Sequence, residues 1–179
     1  MFEEEVKLIQ DEGIKTFTLK CIDAAPDYFW KVPASSTGKY HPSDELGEGG
    51  KYLHSRKVTR IAYDLCRNVD IVGWERDCIV SAAIQHDFCS RGYPTLEKYT
   101  ISGHGPLWIK MCEAKVCFSS QIFSQPQLKL IARLIGTHMG RWDMPFEDAT
   151  DIFESIIQTS DYIASRKYIS VDLTLPVET

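Results

Sequence analysis

The hydrophobic pattern of the chain predicts a helical core between residues 51 and 166. Apolar residues return there at intervals of three and four, the spacing of one face of an α-helix. The predicted inward faces of the first two helices consist of Val58, Ile61, Ala62 and Leu65, and of Ile79, Val80, Ala83 and Ile84. The pattern therefore predicts a mainly α-helical fold.

Three further helices are predicted in the same region. The third lies around residues 107 to 116 and is less regular. The fourth runs from Pro126 to Gly136. Proline can open this helix because at the first helical position its missing N–H costs no helical hydrogen bond. The last begins near Glu147, and its predicted inward face consists of Ile152, Phe153, Ile156 and Ile157.

Both ends of the chain alternate polar with apolar residues, as half-buried strands do. This pattern covers residues 16–21 and 169–175, and Pro176 then forbids further pairing. We expect the two segments to form a small peripheral β-sheet. Residues 33–50 are dense in Ser, Gly and Pro, which predicts an ordered loop.

Length and composition predict a single domain, residues 1–179, with a substantial core. The chain has 44% hydrophobic and 25% charged residues and a net charge of -5. This charge argues against strong binding to duplex nucleic acid. The acidic N-terminus and the lack of an apolar run of about 18 residues argue against a signal peptide and a membrane span. We therefore expect a cytoplasmic protein.

The six cysteines form no C-x-x-C pair, which argues against a zinc ribbon and a disulfide framework. Most of them lie in apolar stretches, so we expect reduced, mostly buried thiols. They are Cys21, Cys66, Cys78, Cys89, Cys112 and Cys117.

Several histidines and carboxylates lie where the helical periodicity calls for apolar residues. Asp87 follows Ala83 by four positions, and Asp161 follows Ile157 by four. A carboxylate on an apolar face is costly unless it is paired or bound to metal. The candidate metal ligands are His54, His86, Asp87, His104, His138 and Asp161. Imidazole and carboxylate groups suit divalent Mn, Fe, Co, Ni or Zn.

The order His54, His86-Asp87, Asp161 resembles the H…HD…D signature of the HD-domain metal-dependent phosphohydrolase superfamily. The loop PASSTGKYHP followed by GEGGKYLHSRKV is similar to the sequence before the first metal-binding helix of many members, and IGTHMGRWD to the region that supplies a further histidine. The resemblance covers residues 30 to 166. It implies a helical bundle whose metal-binding core spans about residues 51–166.

The resemblance also implies the ligand set and the activity. One metal would be held by His54, His86, Asp87 and Asp161, and a second by Asp87 with His104 and His138. One or two divalent ions, Mg included, are then the cofactor. A metal-bound hydroxide would attack phosphorus in a phosphoester or phosphoanhydride of a small nucleotide, and Asp87 would orient it and accept its proton.

Cations and aromatic residues near these ligands are candidate substrate contacts. Arg56 and Arg141 neighbour the ligands, so we expect them to bind phosphate, Arg56 in a catalytic role. The other candidates are Lys39, Tyr40, His41, Arg91 and Trp142. Many family members carry Lys three residues after the Asp of the HD pair, where this chain has Ser90.

Three other functions are compatible with the same pattern. The first is a nuclease that acts on short oligonucleotides, since the stretch before His54 is similar to HD domains attached to exoribonucleases. The second is a metalloprotein that binds a nucleotide without cleaving it. The third is a di-iron oxygenase. The family's enzymes are often oligomers, so the resemblance also implies a homo-oligomer.

Overall fold

The computed structural model describes residues 1–35, 37–116, 125–142 and 148–173. These ranges contain seven α-helices and three short 3-10 helices and no strand. The α-helices are α1 (Glu3–Lys7), α2 (Glu12–Ala24), α3 (Gly50–Asn68), α4 (Gly73–Gln85), α5 (Gly105–Lys115), α6 (Gln125–Thr137) and α7 (Ile152–Ala164). The 3-10 helices are Asp27–Trp30, Ser43–Glu45 and Gly140–Trp142. The prediction of a mainly α-helical chain is confirmed.

The helix α4 lies at the centre of the bundle and is covered on all sides. It packs against α2, α3, α6 and α7, and residues 77–85 are all buried. Its polar residues are satisfied inside the core. Asp77 Oδ2 accepts the backbone N–H groups of Gln10 and Asp11 at 2.9 and 2.7 Å, and Gln85 Oε1 accepts Trp108 Nε1–H at 2.9 Å. The second predicted helix is thus present. Because residues 77–85 are buried on every side, this part of the helix has no solvent-exposed polar face.

The predicted N-terminal strand is wrong, because residues 16–21 lie inside α2. The buried face of α2 consists of Ile14, Phe17, Thr18, Cys21, Ile22 and Ala24, which is a helical spacing. Thr18 is buried because its hydroxyl donates to the carbonyl oxygen of Ile14 at 2.8 Å and contacts Ser81 Oγ at 2.7 Å. A polar residue on the inward face therefore made a helix look like an alternating strand.

The predicted C-terminal strand is not seen either. Residues 169–173 contain no strand, and residues 174 and 175 lie outside the described ranges. The small peripheral sheet is therefore absent from the part of the chain that the structure describes.

The last helix begins later than its predicted start near Glu147. Glu147 itself lies outside the described residues, and 148–151 are not helical. The side chain of Asp151 accepts the backbone N–H of Glu154 at 3.0 Å and caps α7. Ile152, in the first turn, is 49% exposed, so its predicted inward position is wrong.

The segment 33–50 contains no α-helix before Gly50 and only the 3-10 helix Ser43–Glu45. The predicted loop is therefore confirmed, apart from Ser36, which is not described.

Five of the six cysteines are free and buried, as predicted, while Cys117 lies outside the described residues. No described helix has the length and hydropathy required to span a membrane.

Candidate metal centre

The six predicted metal ligands meet at one interior position of the bundle. They are His54 in α3, His86 and Asp87 just after α4, His104 just before α5, His138 just after α6, and Asp161 in α7. All are buried except Asp161, whose side chain is 20% exposed. Five helices therefore deliver polar side chains to one place in an otherwise apolar core.

A first group of ligand atoms surrounds His86. His54 Nε2 lies 2.9 Å from Asp161 Oδ1, and His86 Nε2 lies 3.5 Å from Asp87 Oδ2. One ligand atom from each of His54, His86 and Asp87 falls within 4.8 Å of the others, and the same holds for His86, His138 and Asp161. These spacings bring the donors to the size of a single coordination sphere.

A second group lies on the other side of Asp87. His104 Nε2 is 3.0 Å from Asp87 Oδ1 and 3.1 Å from His138 Nε2, and all three ligand atoms fall within 4.8 Å. Asp87 Oδ2 faces His86 and Oδ1 faces His104. The carboxylate of Asp87 therefore lies between the two groups, where it can bridge two ions.

The backbone fixes the tautomer of three of these histidines. In His86, His104 and His138, the Nδ1 atom lies 2.7–2.8 Å from a carbonyl oxygen three residues earlier. A carbonyl can only accept, so each Nδ1 carries the hydrogen. In the neutral ring, Nε2 is then the atom with the free lone pair, and this contact on the far nitrogen is typical of metal-bound histidine.

Two features of this arrangement fit a bound cation. The buried Nε2 of His86 has no hydrogen-bond partner among the described residues. The Nε2 atoms of His104 and His138 face each other at 3.1 Å, so a proton or a cation has to lie between their lone pairs. Divalent ions in the two ligand groups would satisfy these nitrogens, so the residues present fit a metal.

Without a metal, the charges in the centre balance each other. Burial opposes ionisation of Asp87, but Lys51, His86 and His104 outweigh it and hold its pKa well below the usual value. Burial lowers the pKa of His138 to about 3. Burial also opposes the charging of His104, but the hydrogen bond to Asp87 raises its pKa. The proton near the second group therefore resides on His104 and leaves His138 neutral.

The outer side of His54 contacts a carboxylate from the 33–50 loop. His54 Nδ1 lies 3.3 Å from Glu45 Oε2, and His41 Nδ1 lies 2.7 Å from the same oxygen. Glu45 is fully buried and forms an ion pair with Lys57 at 2.9 Å. Burial alone would lower the pKa of His54, but Asp161 and Glu45 raise it to about 9. Glu45 therefore orients His54 from behind.

Two glycines allow the backbone approaches that build the centre. A Cβ on Gly50 would lie 1.9 Å from the carbonyl oxygen of Glu45, so only glycine lets this loop close onto the start of α3. A Cβ on Gly105 would lie 2.5 Å from the carbonyl oxygen of Ile135. This contact between α5 and α6 brings His104, just before Gly105, next to His138.

A cavity of about 720 Å³ opens above the centre. Its floor includes His54, Asp87, His104, His138 and Asp161. Four predicted substrate contacts line it, namely Tyr40, His41, Arg141 and Trp142. The ligand cluster is therefore accessible to a small molecule.

Three other predicted contacts lie elsewhere. Arg56 Nε lies 2.6 Å from Glu5 Oε1, which holds its guanidinium against the N-terminal segment, outside the residues that line the cavity. Arg91 does not line the cavity either, and its backbone N–H donates to Tyr28 Oη at 3.1 Å. Lys39 does not line it, but its Nζ lies 4.9 Å from the ring of Tyr40, which does.

Lys51, Glu45 and Arg166 are the main site residues that the sequence did not reveal. Lys51 Nζ lies 2.8 Å from Asp87 Oδ2, and the guanidinium of Arg166 lies 4.9 and 4.4 Å from the rings of Tyr40 and Tyr162. Lys51 precedes His54 by three positions, a spacing that places both on one helix face. That spacing was the available signal, whereas Glu45 lies in a loop without periodicity.

No protein-family model, curated protein or solved structure matches this chain. Buried nitrogen and oxygen donors with fixed tautomers, below an open cavity, can hold one or two divalent ions.

Proposed function

We propose that this protein is a divalent-metal-dependent phosphohydrolase of the HD-domain superfamily that acts on a small nucleotide. The convergence of the His86, His104 and His138 Nε2 atoms near Asp87 carries this proposal, because the buried His86 Nε2 has no hydrogen-bond partner among the described residues and the Nε2 atoms of His104 and His138 face each other at 3.1 Å. Together with His54 and Asp161, these residues form the H…HD…D pattern and its two additional histidines.

The donors support two metal positions. His54, His86, Asp87 and Asp161 would hold one ion, and Asp87, His104 and His138 the other. Their nitrogen and oxygen atoms suit Mn, Fe, Co, Ni or Zn. When bound, such ions lower the pKa of a coordinated water toward neutrality and neutralise charge on phosphoryl oxygens.

The side chains of the centre have distinct roles in the proposed hydrolysis. In the metal-free protein the carboxylate of Asp87 is ionised. In the proposed hydrolysis it would orient the attacking water and accept its proton. A bond forms between the water oxygen and phosphorus, and the bond from phosphorus to the leaving oxygen breaks. His86, His104 and His138 keep their geometry because the Nδ1–H of each is fixed on a backbone carbonyl.

The cavity favours a small anionic substrate with a planar group. Its volume of about 720 Å³ is in the range of small-molecule sites. Arg141 and Arg166 line it and offer guanidinium groups suited to phosphate. Tyr40, Tyr162 and Trp142, also in the wall, can stack on a base. The net charge of -5 disfavours a long nucleic acid as substrate.

We also infer a reducing compartment such as the cytoplasm. The five described cysteines are buried and free, although Cys21 Sγ and Cys112 Sγ lie only 3.8 Å apart. Structural disulfides are typical of oxidising compartments. Two thiols that lie this close and are not joined by a disulfide therefore favour a reducing environment.

The test is product-resolved hydrolysis of ribo- and deoxyribonucleotides, with short oligonucleotides included, in the presence of Mn, Co, Ni, Mg or Zn. Wild type should convert one nucleotide class, and Asp87→Asn should lower the rate by at least about a hundredfold. Asp64→Asn, a similar change on an exposed part of α3, is the control and should keep full activity. Cleavage of oligonucleotides alone would indicate a nuclease. Metal and nucleotide binding without turnover would reject the hydrolase.

A further inference from the structure

Lys51 is a buried ammonium group inside the candidate metal centre. It is 3% exposed, and its Nζ lies 2.8 Å from Asp87 Oδ2. Burial of an ammonium is costly unless it is paired, and Asp87 supplies the pair in the metal-free protein. Lys51 also lines the cavity, so its charge faces the space that a substrate would enter.

The position of Lys51 differs from that of the other buried lysine of α3. Lys57 Nζ lies between Asp44 and Glu45, at 2.9 Å from each, and this residue does not line the cavity. The charge of Lys57 is therefore balanced by two carboxylates of the protein itself. Among the described residues, the carboxylate that pairs with Lys51 is that of Asp87, which also contacts His86 and His104.

Metal binding would change the electrostatic environment of Lys51. A divalent ion held by Asp87 would neutralise this carboxylate and would add a second positive charge close to the ammonium. Coulomb repulsion then favours an anion beside Lys51. The open side of Lys51 is the cavity, where a phosphoryl oxygen can accept its N–H groups.

We propose that Lys51 is a catalytic residue that binds a phosphoryl oxygen of the substrate from the floor of the cavity. This inference rests on the proposed function and adds a specific phosphate contact to it. Lys51 forms and breaks no covalent bond in this role. Its ammonium stabilises negative charge on the phosphoryl oxygens as the leaving group departs.

The experiment measures inorganic phosphate binding by calorimetry in metal-loaded wild type, Lys51→Met and Lys51→Arg, with bound metal determined by elemental analysis. Lys51→Met should keep its metal and bind phosphate at least about tenfold more weakly. Lys51→Arg, which keeps the charge, should recover most of that affinity. The control is Arg60→Met, which removes a positive charge from the same helix and should leave phosphate affinity unchanged. Arg60 Nε lies 3.3 Å from Asp64 Oδ2, and Arg60 does not line the cavity.

The outcomes separate the two proposals. Unchanged phosphate affinity in Lys51→Met with full metal content would overturn the role of Lys51 and leave the hydrolase proposal intact. Loss of metal from Lys51→Met would show that Lys51 acts only through Asp87, which also overturns the direct contact. Wild type that holds metal but binds neither phosphate nor nucleotide would reject the proposed function itself.

A measurement on the unmodified protein covers the case in which Lys51→Met fails to fold. In metal-loaded wild type with isotope-labelled lysine, phosphate should shift the NMR signal of the Lys51 side chain, assigned with Lys51→Arg, more than that of Lys57. No shift of the Lys51 signal at saturating phosphate would contradict the direct contact.

Discussion

At the residue scale, the backbone sets the chemistry of the candidate metal centre. Carbonyl oxygens hold the Nδ1–H groups of His86, His104 and His138, so their Nε2 atoms are available to a cation. Asp87 lies between His86 and His104 and can serve two ions. A centre of this kind should bind two metals, and His104, which belongs to the second ligand group alone, should affect only one of them.

We predict that His104→Ala reduces bound metal from about two equivalents to about one, because His104 belongs only to the second ligand group. Metal per protein, measured by elemental analysis after gel filtration, checks this. His41→Ala is the matched control and should retain both ions. His41 lies near Glu45 and His54, but it shares no ligand cluster with Asp87, His104 or His138. Two equivalents in His104→Ala would contradict the second position.

The residues of the centre differed in how well the sequence revealed them. Asp87 and Asp161 were predictable because a carboxylate on an apolar helix face conflicts with its surroundings. Lys51 was missed because a lysine near the start of a helix is usually exposed. Arg56 follows His54 by two positions, a helical spacing that points the two side chains apart, and it pairs with Glu5 from a distant part of the chain. Such long-range pairs leave no local pattern.

At the element scale, the approach of α5 to α6 assembles the second ligand group. Gly105 lies against the carbonyl oxygen of Ile135, and any Cβ there would be 2.5 Å from it. Across the same contact, a Cβ on Gly136 would meet nothing within 4 Å. These two glycines therefore offer a matched pair of substitutions.

We predict that Gly105→Ala destabilises the metal-free protein by about 1–3 kcal/mol, as overpacking does, and weakens the second metal site. Gly136→Ala should leave stability unchanged or raise it by up to about 1 kcal/mol, because alanine favours the helix. Denaturant unfolding and metal titration of both variants check this. Equal stability and equal metal content in the two variants would refute the role of the close approach.

Helical elements were predictable where apolar residues recur at helical spacing, even though the buried face of α3 also carries Lys51, His54 and Thr59. In α3 and α6 the apolar repeat follows one face of the helix, and both helices were predicted from it. In α2 the buried Thr18 disguised the helix as a strand, because its hydroxyl is satisfied by the preceding turn and by Ser81. The start of α7 depends on the side-chain cap of Asp151, which hydrophobic periodicity does not report.

At the scale of the whole molecule, one apolar interior surrounds both the metal centre and the thiols. Burial raises the pKa of Cys66 and of Cys89 to about 12. An unfolded thiol ionises near pH 8.5, so unfolding releases protons above that value. The contribution of these thiols to the free energy of unfolding is therefore complete below about pH 8.5 and is lost as the pH rises toward about 12.

We predict that native protein at about pH 9 resists iodoacetamide at Cys66 and Cys89, because only the thiolate reacts. The same cysteines should react fully in denaturant. Peptide mapping by mass spectrometry gives both rates, and Cys117, outside the described residues, is followed separately. Rapid alkylation of Cys66 or Cys89 in the native protein would show that the core opens more readily than this packing implies.

The most direct test of the metal centre is anomalous X-ray diffraction from crystals of protein loaded with Mn, Fe or Zn. We expect two peaks, each about 2.0–2.3 Å from its ligand atoms. One should lie among His54, His86, Asp87 and Asp161, and the other among Asp87, His104 and His138. Loaded crystals in which these donors surround no anomalous peak would contradict the account.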